Sequence, residues 1–196
     1  MGRPRKDPSR EPTTQRILQA AELAFGEKGY NGANLADIAN TAGIRRPSLL
    51  YHFQTKAGLY TAVARSAFSG LESITKDAID APGTFDERFD RLVTAMIAFG
   101  EEHQAIAQVI LRELIQPTGL ADPDIATELT TLTDGLELFI HMAGAERLRK
   151  DVNVRTAVLQ ALSAWFVRVA AGERGDRVWA NQPDQTLTDL RKLLFK

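Results

Sequence analysis

Apolar residues in this chain recur at intervals of three and four, and the intervals break at glycine and proline. Ile17, Ala21, Ala24 and Phe25 form one such stripe, which predicts a helix from an N-cap at Thr13 to Gly29. Leu35, Ile38, Ala39 and Ala42 predict a second helix over about 34–41, and Gly43 supplies a turn where a positive φ is cheap. Leu49 and Phe53 face the same way on a third helix from about Arg46 to Phe53. A fourth, from about Lys56 to Ile79, has roughly 24 residues and so spans about 36 Å, enough to join two domains.

Beyond Ala81-Pro82-Gly83 the pattern stays helical. Thr84 to Glu87 fits a capping box ahead of Phe89, Leu92, Val93, Met96 and Phe99. Ile106, Val109, Ile110 and Leu114 predict a helix over about 104–115, ended by Pro117-Thr118-Gly119. Asp122-Pro123 is a cap followed by proline at the first helical position, opening a helix that carries Ile125, Leu129, Leu132, Leu136 and Phe139. A further helix over about 152–171 carries Val154, Val158, Leu162, Trp165 or Phe166, and Val169, and its flank of Ala157, Ala161 and Ala164 admits a close neighbour. Gly172 to Gly175 reads as a loop, and residues 184–195 as a last short helix. With no alternating pattern anywhere, the expected fold is all-α.

Charge divides the chain unevenly. Residues 1–60 hold nine Lys/Arg against five Asp/Glu, whereas residues 61–196 hold fifteen against twenty. A basic head on an acidic body implies that the head alone meets a polyanion. The first dozen residues contain three prolines and almost no apolar side chains, so residues 1–12 are expected to form a flexible basic arm. Its Arg3 and Arg5 suit a narrow A·T-rich minor groove, a solvated tail being the alternative.

The remaining composition mainly excludes. Apolar residues make up 44% and charged residues 25%, as in an ordinary globular protein, and no apolar run approaches the ~18 residues of a membrane span. There is no cysteine, hence no disulfide, thiolate metal site or cysteine nucleophile. The expectation is a cytoplasmic protein. Glycine-rich phosphate loops, zinc-binding His-Glu-x-x-His and the Gly-x-Ser-x-Gly elbow are all absent, so no enzyme, cofactor or metal is expected.

The second and third helices with their glycine turn have the build of a helix-turn-helix DNA reader. Leu49 and Phe53 face inward and leave Arg45, Arg46, Ser48, Tyr51 and His52 on the open side, residue types that bond phosphates and base edges. Lys56 adds a cation where a phosphate backbone would pass. The alternatives are two short helices of an ordinary core, or a helical module whose same face binds protein.

Ile17-Leu18, Ala20-Ala21, Phe25, Lys28-Gly29-Tyr30, Ile38-Ala39, Ala42-Gly43-Ile44, Leu49, Tyr51-His52-Phe53, Lys56 and Leu59 together resemble the tetracycline-repressor (TetR-like) family of bacterial regulators. The resemblance covers about 13–60 and makes Ile44 to Phe53 the recognition helix. It implies that Ser48, Tyr51 and His52 touch bases or phosphates and Lys56 a phosphate. Leu50 departs from the pattern, since the family usually has an aromatic residue there; a leucine offers only apolar contact with a thymine methyl.

By the same resemblance, residues 13–60 form the DNA-binding head and 61–196 a ligand-binding and dimerisation body. The implied partners are a palindromic double-stranded operator and a second copy, paired through the helices near 123–143 and 152–171. A hydrophobic or amphipathic small molecule would release the operator. Its candidate contacts are Met96, Phe99, His103, Phe139, Met142 and Trp165, for each of which plain core packing or a surface position is the alternative.

Overall fold

The computed structural model describes residues 12–115, 125–143, 146–180 and 185–196. Ten helices are assigned in order: α1 (Thr13–Gly32), α2 (Leu35–Thr41), α3 (Arg46–His52), α4 (Lys56–Asp80), α5 (Phe85–Glu102), α6 (Gln104–Ile115), α7 (Ile125–His141), α8 (Val154–Ala171), α9 (Glu173–Val178) and α10 (Thr186–Leu194). Among the described residues no strand forms, and Leu148 and Phe195 make one isolated bridge. The fold is all-α, as the intervals of three and four require.

Several boundaries follow from named caps. Asn34 opens α2 by accepting from the Ala36 amide at 2.8 Å, and Thr55 opens α4 by accepting from Gly58. Thr84 and Glu87 form the expected reciprocal capping box at α5. Two expectations need correction. Thr13 is the first residue of α1 rather than its cap; the Pro12 carbonyl, not a side chain, receives the Gln15 and Arg16 amides. Glu173 to Val178, expected to lie partly in a loop, forms the short helix α9, reached through Gly172 at φ +51°. The proline-glycine break at 117–119 and the Asp122-Pro123 cap lie outside the described residues.

One apolar core runs from head to body, from Ile17, Phe25 and Leu49 through Phe68 and Leu71 to Phe139 and Trp165. Helix α4 is the spine: it packs on α1 within the head and on α5, α6 and α7 within the body. Among the described residues the most extensive helix pairing joins α1 to α6. Gly26 makes it possible, since a Cβ there would sit 2.6 Å from that of Ala105. Three residues on, Gly29 interrupts α1 at φ +68°, and Arg112 of α6 reaches back to donate to the Phe25 carbonyl at 3.1 Å and the Gly26 carbonyl at 3.4 Å.

Candidate nucleic-acid interface

The turn between α2 and α3 is fixed by backbone chemistry. The Ile44 amide donates to the Ala39 carbonyl at 2.9 Å and the Gly43 amide to Asn40 at 3.0 Å, the pair of bonds that defines a Schellman motif. It requires the left-handed conformation at its C′ position, and Gly43 supplies it at φ +67°. From α1, Arg16 donates to the Ala42 carbonyl at 2.9 Å and braces the turn from behind. No sequence spacing announced this contact, because the two residues lie 26 positions apart.

Helix α3 is anchored by Leu49, which is fully buried, with Phe53 half-buried at its C-terminal end. Arg45, Arg46, Ser48, Tyr51 and His52 are all exposed, Tyr51 by 85%. Leu50 is half-buried, so it sits at the edge of this face rather than on its crest. Neither Arg45 nor Arg46 has an ion-pair partner among the described residues, so both charges are available to an incoming anion.

Two neighbours orient the face. The Thr14 hydroxyl lies 3.4 Å from His52 Nδ1, which turns the other ring nitrogen, Nε2, away from α1. The Tyr51 and His52 rings meet edge to face at 5.6 Å. Lys56, at the first turn of α4, donates to the Asn31 carbonyl at 3.3 Å and stands 4.8 Å over the Tyr30 ring. Its ammonium is thereby held against the C-terminal end of α1. Arg3 and Arg5 lie outside the described residues.

The residues expected to line an effector site are not gathered in one place. A small apolar cavity of about 20 Å³, room for roughly one water, lies among Met96, Leu136, Ile140, Val158 and Leu162. Of the six candidates Met96 lines it. Phe139 stands behind its wall, stacked on Phe89 and Phe85. The Phe99 and His103 rings meet at a tilt, 4.5 Å apart, at the end of α5, where Glu22 of α1 approaches His103 Nδ1 at 3.2 Å. Burial raises the Glu22 carboxyl above its ordinary pKa, and the histidine partly opposes that rise. Trp165 packs over Gly100, and Met142 is exposed. Among the described residues no cluster of His, Asp or Glu has metal-binding geometry, and no helix is long and apolar enough to cross a membrane.

Known proteins resemble this chain in sequence and in fold. A family model for bacterial regulatory proteins of the tetR family matches residues 17–63. The HTH-type transcriptional repressor BepR of Brucella suis is 30% identical over 173 residues, covering 83% of each chain. The HTH-type transcriptional activator FasR of Mycolicibacterium smegmatis is 32% identical over 127 residues, 62% of this chain and 57% of that one. In three dimensions the ketosteroid transcriptional regulator KstR2 of Mycobacterium tuberculosis superposes with a TM-score of 0.72 at 21% identity, over 98% of this chain and 100% of that one.

Proposed function

Because the chain belongs to the tetR family of DNA-binding bacterial transcriptional regulators, we propose that it is a repressor released from a palindromic operator by a small molecule. The observation that carries the reading is the crest of α3, where Arg46, Ser48, Tyr51 and His52 stand exposed above a buried Leu49. Arg46 and Arg45 suit guanine edges or phosphates, Tyr51 and Ser48 a phosphate or a base, and Leu50 a thymine methyl at the margin. Lys56 supplies a phosphate contact just beyond the helix. Arg3 and Arg5 belong to the same proposal as minor-groove contacts.

One such head covers too few base pairs to be selective. Two heads on a two-fold dimer read two half-sites about one helical turn, roughly 34–36 Å, or more apart. Support for pairing through α7 and α8 comes from large apolar side chains left exposed there: Leu138 on α7 with Met142 just past its end, Leu159 and Val167 on α8. The operator is lost when an effector favours a conformer with the heads at another separation, and ~1.4 kcal/mol of differential affinity shifts that equilibrium tenfold. A hydrophobic or amphipathic effector entering beside Met96 must first widen a cavity now the size of a water. That expansion between α5, α7 and α8 acts directly on α5 and α7, both of which pack against α4.

Selection from a randomised duplex pool tests the reading. The expected product is an inverted repeat bound with a steep salt dependence. Recovery of no preferred sequence overturns it. A small-molecule screen for release of the selected duplex then tests the effector half independently.

A further inference from the structure

An open groove of about 610 Å³ runs along the seam between head and body, bounded by α1, α6, α8 and α9. It is separate from the apolar cavity beside Met96, and its chemistry is different. Arg112 and Arg174 both face it, from α6 and α9. A guanidinium carries five N–H donors; the bonds from Arg112 to the Phe25 and Gly26 carbonyls engage two of them, and the side chain lines the groove. Arg174 is exposed and has no ion-pair partner among the described residues. The acidic residue on the rim, Glu27, pairs with neither arginine. Two like charges thus share a recess with an excess of one, an arrangement that costs energy until an anion enters.

The rest of the lining decides what kind of anion. Leu111, Ile115 and Ala170 give the groove an apolar side, with Ile115 exposed by 75%. Gln108 holds that side in place by donating to the Ala170 carbonyl at 3.0 Å. The volume is that of a small organic ligand and far exceeds a bare oxyanion. The geometry points to a binding site for an amphipathic organic anion, its carboxylate or phosphate head between Arg112 and Arg174 and its apolar part against Leu111 and Ile115. Since Arg112 also grips the α1 backbone, the ligand joins head to body at their principal contact.

This inference goes beyond the repressor reading, and it is tested on the full-length protein without DNA, so its failure leaves operator recognition untouched. Titration calorimetry with octyl phosphate, octanoate, octanol and inorganic phosphate is carried out on the wild type, Arg174→Glu and Lys150→Glu. Lys150→Glu makes the same charge change at an exposed position outside the groove. The expected result is saturable binding of octyl phosphate or octanoate at one site per chain, at least tenfold weaker in Arg174→Glu and unchanged in Lys150→Glu. Which of the two anions binds tighter identifies the head group. Octanol and inorganic phosphate should each bind at least tenfold more weakly than the better anion. Binding unaffected by Arg174→Glu, equal binding of octanol or of inorganic phosphate, or no saturable binding of either amphiphile overturns the site.

Discussion

The Tyr60 hydroxyl donates to Glu113 Oε2 at 3.0 Å, between two side chains that are 1% and 5% exposed. The bond joins α4 to α6 in the interior, directly beneath the packing of α1 on both. Burial and the neighbouring carboxylate hold the phenol well above its ordinary pKa, so it remains a donor at every physiological pH. Tyr60→Phe removes a donor from a buried carboxylate and should cost about 1–3 kcal/mol in urea unfolding. Glu113→Gln keeps an oxygen that accepts from Tyr60 and should cost less than Tyr60→Phe. A Tyr60→Phe protein as stable as the wild type contradicts the energetic role of this bond.

Arg46→Ala and Tyr51→Ala should abolish operator selection while helicity and dimerisation persist, because both side chains are exposed and neither fills the core. A lost bidentate base contact corresponds to about 1–3 kcal/mol of discrimination at one base pair. Retained sequence preference in a repeat of the duplex selection removes α3 from the readout.

Lys56→Ala should weaken binding to every duplex alike and lower the slope of log K against log salt by about one. The same change deletes the cation over Tyr30, so a small loss of stability accompanies it. An unchanged salt slope, measured by fluorescence anisotropy, takes Lys56 off the list of phosphate contacts.

Leu159→Glu combined with Val167→Glu places two charges on the exposed flank of α8. Sedimentation equilibrium should then report monomer at concentrations where the wild type is a dimer, with the helical circular dichroism intact. A dimer that survives both substitutions assigns the interface elsewhere.

The acid limb of stability should depend on Asp86. Hydrogen bonding from Arg147, reinforced by Arg191, holds its carboxyl below the ordinary aspartate value. A carboxyl lowered in the folded state contributes stability that is fully present above the unfolded pKa and is lost as pH falls through the folded one. Asp86→Asn should therefore lower stability at neutral pH and flatten its decline just below the ordinary aspartate range. Urea midpoints collected across that range for both proteins check the sign; parallel curves contradict it.

The proposed DNA face was legible in the sequence because it is built locally. Gly43 and Leu49 lie within seven positions, and each announces its own conformation through a left-handed turn or an inward leucine, whereas the Asn34 cap shows only in the structure. What holds that face in place was not legible. Arg16 bonds Ala42 across 26 residues, Tyr60 bonds Glu113 across 53, and Arg112 bonds Phe25 across 87. Stripe periodicity tells which side of a helix is buried but not which helix covers it. For that reason Met96, Phe139 and Trp165, alike in pattern, end in three different packing environments. Helix α9 was not legible because Gly172 just before it and Gly175 in its first turn read as readily as a loop.

Helix α6 limits how this protein can be recombined with others. A head cut at residue 60 leaves behind the floor it rests on, since Ala105, Arg112 and Glu113 meet Gly26, the α1 carbonyls and Tyr60 from far along the chain. Chimaeras that graft a foreign reader onto this body inherit a mismatched seam unless residues 104–115 travel with the head. The unit that can be exchanged is therefore discontinuous in sequence, and a crossover that respects it needs at least three junctions.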